Sequence, residues 1–324
     1  MNTFMKIAQF LKNYGILIVL VLLCAFFTLA TPTFFTVKNL FNILRQVSII
    51  GIVAVGMTFV LLSGGIDLSV GSLTAVTGVT AAQLIVGFGV NPVLAMLIGL
   101  IVSVLLGTIT GLIIQKFELP AMIATLGMMT IARGLAFIIT GGFSVWGVPE
   151  EFAMIGQGYL WVIPIPVIIM LFFFVVGGFI LGQTRWGRYF YAMGGNREAA
   201  RLAGINVAKL RVLTFTISGF LCGIAGIVLM FRINSGQPSG GTGLEMDVIT
   251  ATVLGGVSLS GGEGRIFGVL IGCLIIGVLA NGLIILNVGE YYQMVLKGVV
   301  LIFAVILDKM GQRYSAKQAK VIAG

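Results

Sequence analysis

Polar residues inside apolar segments are the candidates for chemistry in this sequence. The most informative segment is LLSGGIDLSVGS (61–72), which places Asp67 among glycines and hydroxyl side chains. A carboxylate at the centre of a bilayer costs roughly 2.5–3.5 kcal/mol on insertion scales, so such residues usually face a cavity or a partner. Gly64 and Gly65 would let a helix break there and expose backbone groups to a pathway. The segment predicts a gate that includes Asp67 and Ser69, or else a tight turn in which Asp67 is the N-cap of the next helix.

Four further polar residues lie within or near the ends of apolar segments: Arg133, Asn281, Gln293 and Lys297. A pathway for a hydroxylated solute needs such groups, because hydroxyls that leave water require replacement hydrogen bonds. Arg133, Asn281 and Gln293 are therefore predicted to line a pathway together with Asp67. Two alternatives stay open, in which Lys297 snorkels to the interface and Asn281 bonds a neighbouring helix.

The stretch GGNREAARLAGI (194–205) predicts a short helix outside the lipid. Asn196 is a suitable N-cap, Glu198 falls in the first turn and Gly204 has the C′ position. Eight helical residues would span about 12 Å, which makes a small knob that fits a groove on another protein. The residues assigned to this knob are Gly195, Asn196, Glu198, Ala199, Ala200 and Gly204. The alternative is an ordinary interfacial loop held by anionic lipid.

The elements that position these residues are membrane spans. Of 324 residues, 59% are hydrophobic and 9% are charged, and the mean hydropathy is +1.15. Soluble domains carry about 25% charged residues, so a soluble fold is excluded. A spanning helix needs about 20 apolar residues, which predicts an all-α membrane protein of ten helices. The predicted spans are 15–31, 47–63, 68–87, 93–115, 119–140, 161–182, 212–231, 246–262, 265–287 and 292–308.

Basic residues orient these spans, because Lys and Arg collect in cytoplasmic loops. The 183–211 loop and the 309–324 tail hold most of them, and the N-terminus holds Lys6 and Lys12. Both termini and the 183–211 loop are therefore predicted to be cytoplasmic. An even number of crossings must separate that loop from the tail, which makes the Gly-rich segment 246–262 the tenth span. The net charge of +9 comes from basic residues that lie between apolar segments. They do not form one exposed basic face, so the charge does not indicate nucleic-acid binding.

Several activities are excluded by residues that the sequence lacks. There is no histidine, and Cys24, Cys222 and Cys273 have spacings that fit neither a disulfide framework nor a zinc site. No metal, cofactor or His-based triad is therefore expected. The run LSGGE (259–263) matches the signature of an ATP-binding-cassette ATPase, but no phosphate loop accompanies it. The chain is not expected to hydrolyse ATP or to be an enzyme.

An internal echo suggests two related halves. GGIDLS (64–69) returns as GGVSLS (255–260), 191 residues later, while GLII recurs at 111–114 and 282–285 with an offset of 171. The difference corresponds to one extra helix in the first half, as in transporters with internal repeats. Coincidence among Gly-rich helices is the alternative.

The chain resembles, nearly end to end, the permeases of bacterial monosaccharide ABC importers of the ribose type. The matching segments are TPTFFTVKNLFNILRQ (31–46), VGMTFVLLSGGIDLSVGS (55–72), GRYFYAMGGNREAARLAGINV (187–207), VLGGVSLSGGEGRIFGVLIG (253–272) and YYQMVLKGVV (291–300). Glu198-Ala199-Ala200 with Gly204 is similar to the coupling motif of importer permeases. It departs from the longer form of that motif, since Ala203 stands where an acidic residue is expected and the later Leu-Pro is missing.

The resemblance implies one transmembrane permease domain over residues 1–324, in the bacterial inner membrane. Its implied partners are a second permease subunit, cytoplasmic ATPase subunits, a periplasmic sugar-binding protein and membrane lipid. Alternating access driven by ATP would move a monosaccharide, with ribose as the first candidate. Two other classes stay open: a proton- or sodium-coupled transporter, for which Asp67 is the candidate coupling carboxylate, and a structural membrane scaffold.

Overall fold

The computed structural model describes the backbone of residues 3–323 and the side chains of residues 15–306 and 308–310. The side chains of Lys6 and Lys12, and those of the tail from residue 311 onward, lie outside the described residues. The fold of this part of the chain is helical, as predicted. Its helices are α1 (Thr3–Ala30), α2 (Val37–Leu62), α3 (Val70–Val86), α4 (Pro92–Lys116), α5 (Ala121–Thr140), α6 (Met154–Gln157), α7 (Ile165–Gln183), α8 (Arg185–Gly195), α9 (Arg197–Leu202), α10 (Val207–Ile233), α11 (Leu244–Leu254), α12 (Ile266–Ile285) and α13 (Glu290–Ala323).

Extended structure is confined, in the same residues, to four two-residue strands, and a 3₁₀ turn occupies Glu150–Phe152. Strand β1 (Val145–Trp146) pairs antiparallel with β4 (Ser235–Gly236), in the register Val145 opposite Gly236. Strand β2 (Tyr159–Leu160) pairs with β3 (Ile163–Pro164) as a hairpin. Strand β1 follows α5 and β4 follows α10, while the β2–β3 hairpin lies between α6 and α7.

Six of the described helices are long and apolar enough to cross a membrane: α2, α4, α5, α7, α10 and α12. Two shorter apolar helices, Gly15–Ala30 within α1 and α3, coincide with predicted spans. The all-α class is therefore confirmed, whereas the count of ten spans is not.

The prediction that 246–262 forms a continuous span is wrong. Helix α11 ends at Leu254 after 11 residues, which is about 16 Å of helix against a hydrocarbon core of about 30 Å. Gly256 adopts φ +86°, a left-handed conformation that ends the helix, and residues 255–265 are not helical. Irregular backbone is tolerated at membrane depth where protein buries it, and hydropathy does not detect this.

Helix α10 is central to the packing, where it contacts α2, α3 and α4. Small residues allow close approach: a methyl group added at Gly107 would lie 2.5 Å from the Phe215 carbonyl oxygen. The Ser103 hydroxyl donates a 2.7 Å hydrogen bond to the Gly219 carbonyl across the same interface. Small residues and interhelical hydrogen bonds of this kind drive helix packing in lipid, and here they hold α4 against α10.

Candidate functional site

The predicted break at 61–72 is present. Helix α2 ends at Leu62 and α3 begins at Val70. Gly64 has φ +76°, and the Gly65 amide donates back to the Val60 carbonyl at 3.0 Å. This is the geometry of a glycine-terminated helix, which needs a residue without a Cβ in the left-handed region. The glycines therefore break the helix, as the sequence predicts.

The carboxylate of Asp67 binds this break to α10. Oδ1 accepts hydrogen bonds from the Ser69 amide at 3.0 Å and the Ser69 hydroxyl at 2.6 Å. Oδ2 accepts one from the Ser218 hydroxyl of α10 at 2.7 Å. The alternative in which Asp67 caps α3 is supported in part: the N-cap position belongs to Ser69, whose own side chain makes no capping bond, and the Asp67 carboxylate accepts the Ser69 amide at the start of the helix. Asp67 is 1% exposed, so in this conformation it joins helices and does not border open space.

Three glycine-containing segments meet next to this break, and we refer to residues 62–65, 194–195 and 261–262 together as the glycine junction. The Gly262 amide donates to the Leu62 carbonyl at 3.0 Å. A methyl group at Gly261 would lie 2.9 Å from the Gly64 Cα, and one at Gly262 would lie 2.7 Å from the Gly195 Cα. The junction is therefore backbone against backbone, with no room for a side chain at Gly194, Gly261 or Gly262.

Helix α8 has a second contact with the segment that follows α11. The Tyr191 hydroxyl donates a 2.9 Å hydrogen bond to the Gly264 carbonyl. Burial raises the pKa of Tyr191, so the phenol stays protonated and remains a donor at neutral pH. The LSGGE run (259–263) has no accompanying phosphate loop and is therefore not an ATPase signature here. It lies in a segment that contacts both α8 and the break after α2.

The predicted knob at 195–204 forms, although its helix is shorter than expected. Helix α9 has six residues, Arg197–Leu202, where eight were predicted. Asn196 is the N-cap, as predicted, and its side chain accepts from the Ala199 amide at 3.0 Å. Gly204 has φ +83°, as its C′ position requires.

The surface of the knob combines charge with one large apolar side chain. Glu198 and Arg201 form an exposed ion pair at 2.9 Å, so Glu198 is partnered within its own helix. Ala199 is exposed, whereas Ala200 is buried against the protein. Leu202 is 79% exposed at the end of the helix, a feature that the sequence analysis missed.

Arg133 holds the segment that precedes α11. Its Nη1 donates to the Pro238 carbonyl at 2.6 Å and to the Gly240 carbonyl at 2.8 Å. It is half-buried and lines a cavity of about 410 Å³. The structure therefore places Arg133 at the edge of this cavity, and its pathway role stays a prediction.

Asn281 and Gln293 are engaged with neighbouring parts of the chain. The Asn281 side chain accepts from Asn39 at 2.9 Å, which joins α12 to α2 as the interhelical alternative predicts. Gln293 donates to the Val288 carbonyl at 2.8 Å, near the start of α13. In the described part of the chain, neither residue shares a hydrogen bond with Arg133 or Asp67 or lines the cavity beside Arg133, so the four residues predicted to line a pathway together are not joined in one cluster.

Lys297 does not snorkel. Its ammonium group binds the Asp247 carboxylate of α11 at 2.7 Å, and Asp247 is largely buried. Sequence reasoning missed this pair because Asp247 fell near the start of the predicted span 246–262 and was given no partner. Glu245 and Asp247 could have indicated the start of a helix near residue 244, since a helix N-terminus favours negative charge.

The two halves of the internal echo share a local structure. The Ser258 hydroxyl accepts from the Ser260 amide at 3.1 Å, as Asp67 accepts from the Ser69 amide. Positive φ falls on Gly64 in the first half and on Gly256 in the second, one position out of register. The first GLII (111–114) lies in α4, and α3 separates it from the first break. The second GLII (282–285) lies in α12, which follows the second break directly. The first half therefore has one extra helix between its break and its GLII. The likeness of the two breaks is therefore structural as well as sequential.

The comparisons with known proteins agree with this architecture. The family model described as "Branched-chain amino acid transport system / permease component" matches residues 39–305. The chain belongs to this permease family. The permease is 48% identical to the ribose import permease of Escherichia coli K12 over 300 residues, 91% of this chain and 93% of that protein. It is 45% identical to the ribose import permease of Bacillus subtilis over 301 residues, 92% and 93% of the two chains.

A further relative carries a different sugar in its name. The permease is 40% identical to the L-arabinose ABC transporter permease of Azospirillum brasilense over 301 residues, 93% of this chain and 88% of that protein. No solved structure matches the chain significantly. The apolar helices and the family together identify a multi-pass membrane protein of the permease class.

Proposed function

We propose that the chain is the membrane-spanning permease of an ABC importer for a monosaccharide, with ribose as the first candidate. The observation that carries this is the glycine junction, which links an exposed knob at 195–204 to two broken helices through backbone contacts. A motion of the knob would reach both breaks without passing through flexible side chains. The names of the relatives, two ribose permeases and one arabinose permease, support the sugar class.

In this proposal the 195–204 knob docks on a separate cytoplasmic ATPase. ATP-driven closure of two ATPases pushes the knobs of two permease subunits, and the breaks at 63–69 and 255–265 shift with them. A periplasmic binding protein delivers the sugar to the outward-open state. The chain acts as one domain in the bacterial inner membrane, with the 183–211 loop and both termini in the cytoplasm.

The coupled-transporter alternative receives less support from the site. An ion-coupling carboxylate must gain and lose its ion during each cycle, and must therefore be reached by it. Asp67 is 1% exposed and its two oxygens accept three hydrogen bonds, so it is committed to joining helices.

Two substitutions in the knob test the proposed coupling. Gly204→Val places a β-branched residue at φ +83°, and Glu198→Lys reverses an exposed charge and breaks its pair with Arg201. Both lie outside the spanning helices, so the protein should insert and fold. In a reconstituted importer, both should weaken ATPase binding or abolish the hydrolysis that sugar-loaded binding protein stimulates. Normal stimulated hydrolysis and normal uptake in both variants would refute the assignment of 195–204 as the coupling site.

A further inference from the structure

Two arginines lie close together at the opposite end of α10 from the knob. Arg45 is near the start of α2, and Arg232 is near the end of α10, a helix of 27 residues and about 40 Å that begins just after the knob. Nη2 of Arg45 donates to the Gln157 carbonyl at 2.6 Å, and the Gln157 side chain donates to the Arg232 carbonyl at 3.2 Å. These bonds join α2, α6 and α10, and we refer to Arg45, Gln157 and Arg232 together as the arginine site.

The arginine site carries two positive charges without a negative one. The two guanidinium groups are close enough to repel each other, and within the described residues no carboxylate forms an ion pair with either. This includes Glu150 and Glu151, which lie in the 3₁₀ turn just before α6. An anion bound between two like charges replaces their repulsion with attraction. The charges therefore favour an anionic ligand.

Several hydrogen-bond donors of the site are both unused and accessible. Arg232 makes no side-chain hydrogen bond in the part of the chain that the structure describes, and none of its side-chain nitrogens is shut off from solvent. Nη1 of Arg45 is also unpartnered and accessible there, whereas Nε of Arg45 is enclosed by the protein and is not available to a ligand. Guanidinium groups bind phosphate and carboxylate oxygens through paired N–H donors. Arg232 offers such a pair, and Arg45 adds a further donor.

An exposed apolar turn lies beside the arginine site. The Tyr159 ring of the β2–β3 hairpin lies 4.5 Å from the guanidinium carbon of Arg45, which fixes the hairpin against the site. The turn of this hairpin exposes Leu160, Trp161 and Val162, and Trp161 is 95% exposed. Exposed apolar patches mark contact with a membrane or a partner, and Trp side chains collect at the membrane–water interface. The spanning helix α7 follows the hairpin directly, so the turn lies at the end of a span.

We infer that the arginine site and the 160–162 turn bind the headgroup of an anionic phospholipid. The phosphate accepts hydrogen bonds from Arg232 and Arg45, and the turn lies among the first carbons of the acyl chains. The uncompensated charges select an anion, and the adjacent apolar turn selects a lipid over a small soluble anion. With the knob in the cytoplasm, as proposed above, this lipid belongs to the external leaflet.

Quenching of Trp161 fluorescence in bilayers tests this site. Trp146→Phe and Trp186→Phe leave Trp161 as the only one of the three tryptophans. The permease is reconstituted into phosphatidylcholine vesicles in which the same small fraction of lipid is either brominated phosphatidylglycerol or brominated phosphatidylcholine. Brominated phosphatidylglycerol should quench the Trp161 emission about twice as strongly. Equal quenching by the two lipids would overturn the inference.

Removal of one arginine should abolish this preference. Arg232→Gln breaks no side-chain hydrogen bond among the described residues, so the protein should fold, and the two brominated lipids should then quench equally. Arg188→Gln is the matched control, because it removes an exposed arginine of α8 that also forms no ion pair in the described part of the chain. It should leave the preference unchanged. A preference that survives Arg232→Gln, or that both changes remove, would count against the site.

Two further measurements identify the source of the anion. Inorganic phosphate, compared with chloride at equal ionic strength, should leave the preference for phosphatidylglycerol unchanged, because the turn also holds the lipid. If phosphate abolishes the preference, the site binds a free anion and the lipid is refuted. If Arg232→Gln leaves the quenching unchanged and instead weakens binding of the sugar-binding protein, the site is a protein contact and the inference is wrong. The importer function stands in each case, since it rests on the knob and the glycine junction.

Discussion

Replacement of Gly194 by alanine places a methyl group inside the glycine junction. That methyl would overlap the Leu62 carbonyl oxygen and lie 2.6 Å from the Gly262 amide nitrogen. These two groups share the 3.0 Å hydrogen bond between the segments that follow α2 and α11. Both contacts are with backbone, so no flexible side chain can move aside. Gly194→Ala must therefore push α8 away from the other two segments.

The neighbouring glycine provides a matched control. A methyl group at Gly195 meets no atom within 4 Å, and neither Gly194 nor Gly195 has a positive φ. Overpacking costs about 1–3 kcal/mol and loss of one hydrogen bond about 1 kcal/mol. Alanine has a higher helix propensity than glycine, which stabilises the helix by up to about 1 kcal/mol at either position. We expect Gly194→Ala to destabilise the junction by about 1–3 kcal/mol and Gly195→Ala to be neutral or slightly stabilising.

Two measurements on the purified complex report this difference. Cys222 and Cys273 are fully buried, so a thiol-reactive dye follows thermal unfolding through the native cysteines. Uptake per ATP hydrolysed reports coupling. Gly194→Ala should lower both the unfolding midpoint and the uptake per ATP hydrolysed, whereas Gly195→Ala should lower neither. If Gly194→Ala and Gly195→Ala behave alike, the junction does not transmit the motion.

Three further changes test other parts of the structure. Asp67→Leu removes the acceptor of three hydrogen bonds and should lower the stability by about 2–4 kcal/mol and abolish most uptake, whereas Asp67→Asn should have smaller effects. If the leucine variant has the unfolding midpoint of the wild type in the dye assay and uptake within about twofold of wild type, the role of Asp67 in joining the helices is refuted. Lys297→Met leaves Asp247 buried and unpaired and should lower the yield of folded protein, which the double change with Asp247→Leu should restore in a gel-filtration assay; no rescue would count against the pair. A cysteine at position 196, in a variant without native cysteines, should react with an impermeant reagent only after the membrane is opened, and labelling in intact cells would reverse the predicted orientation.

Local signals predicted local structure well. The break after α2, the Asn196 cap and the left-handed Gly204 each depend on a few adjacent residues, whose backbone preferences act at short range. The long apolar helices followed from hydropathy for the same reason. The prediction for 246–262 failed because counting crossings requires whole spans, whereas α11 ends at Leu254 after 11 residues, too short a helix to cross a bilayer.

Partners distant in the chain could not be predicted. Ser218 binds Asp67 across 151 positions, and Arg133 reaches the carbonyls at 238 and 240 across more than a hundred. The glycines of the junction were visible individually, but their meeting depends on how α2, α8 and the segment after α11 pack. Asn281 illustrates the reverse case, since its polarity suggested a pathway and its contact with Asn39 joins two helices.

Reconstitution with defined components tests the central claim most directly. The purified permease is placed in liposomes alone, with its ATPase, and with both ATPase and sugar-binding protein, and uptake of radiolabelled ribose is measured with and without ATP. We predict uptake only when the ATPase, the binding protein and ATP are all present, because the permease supplies the path and the knob at 195–204 receives the driving force. Ribose uptake by the permease alone, driven by a proton or sodium gradient and unaffected by ATP, would contradict the account.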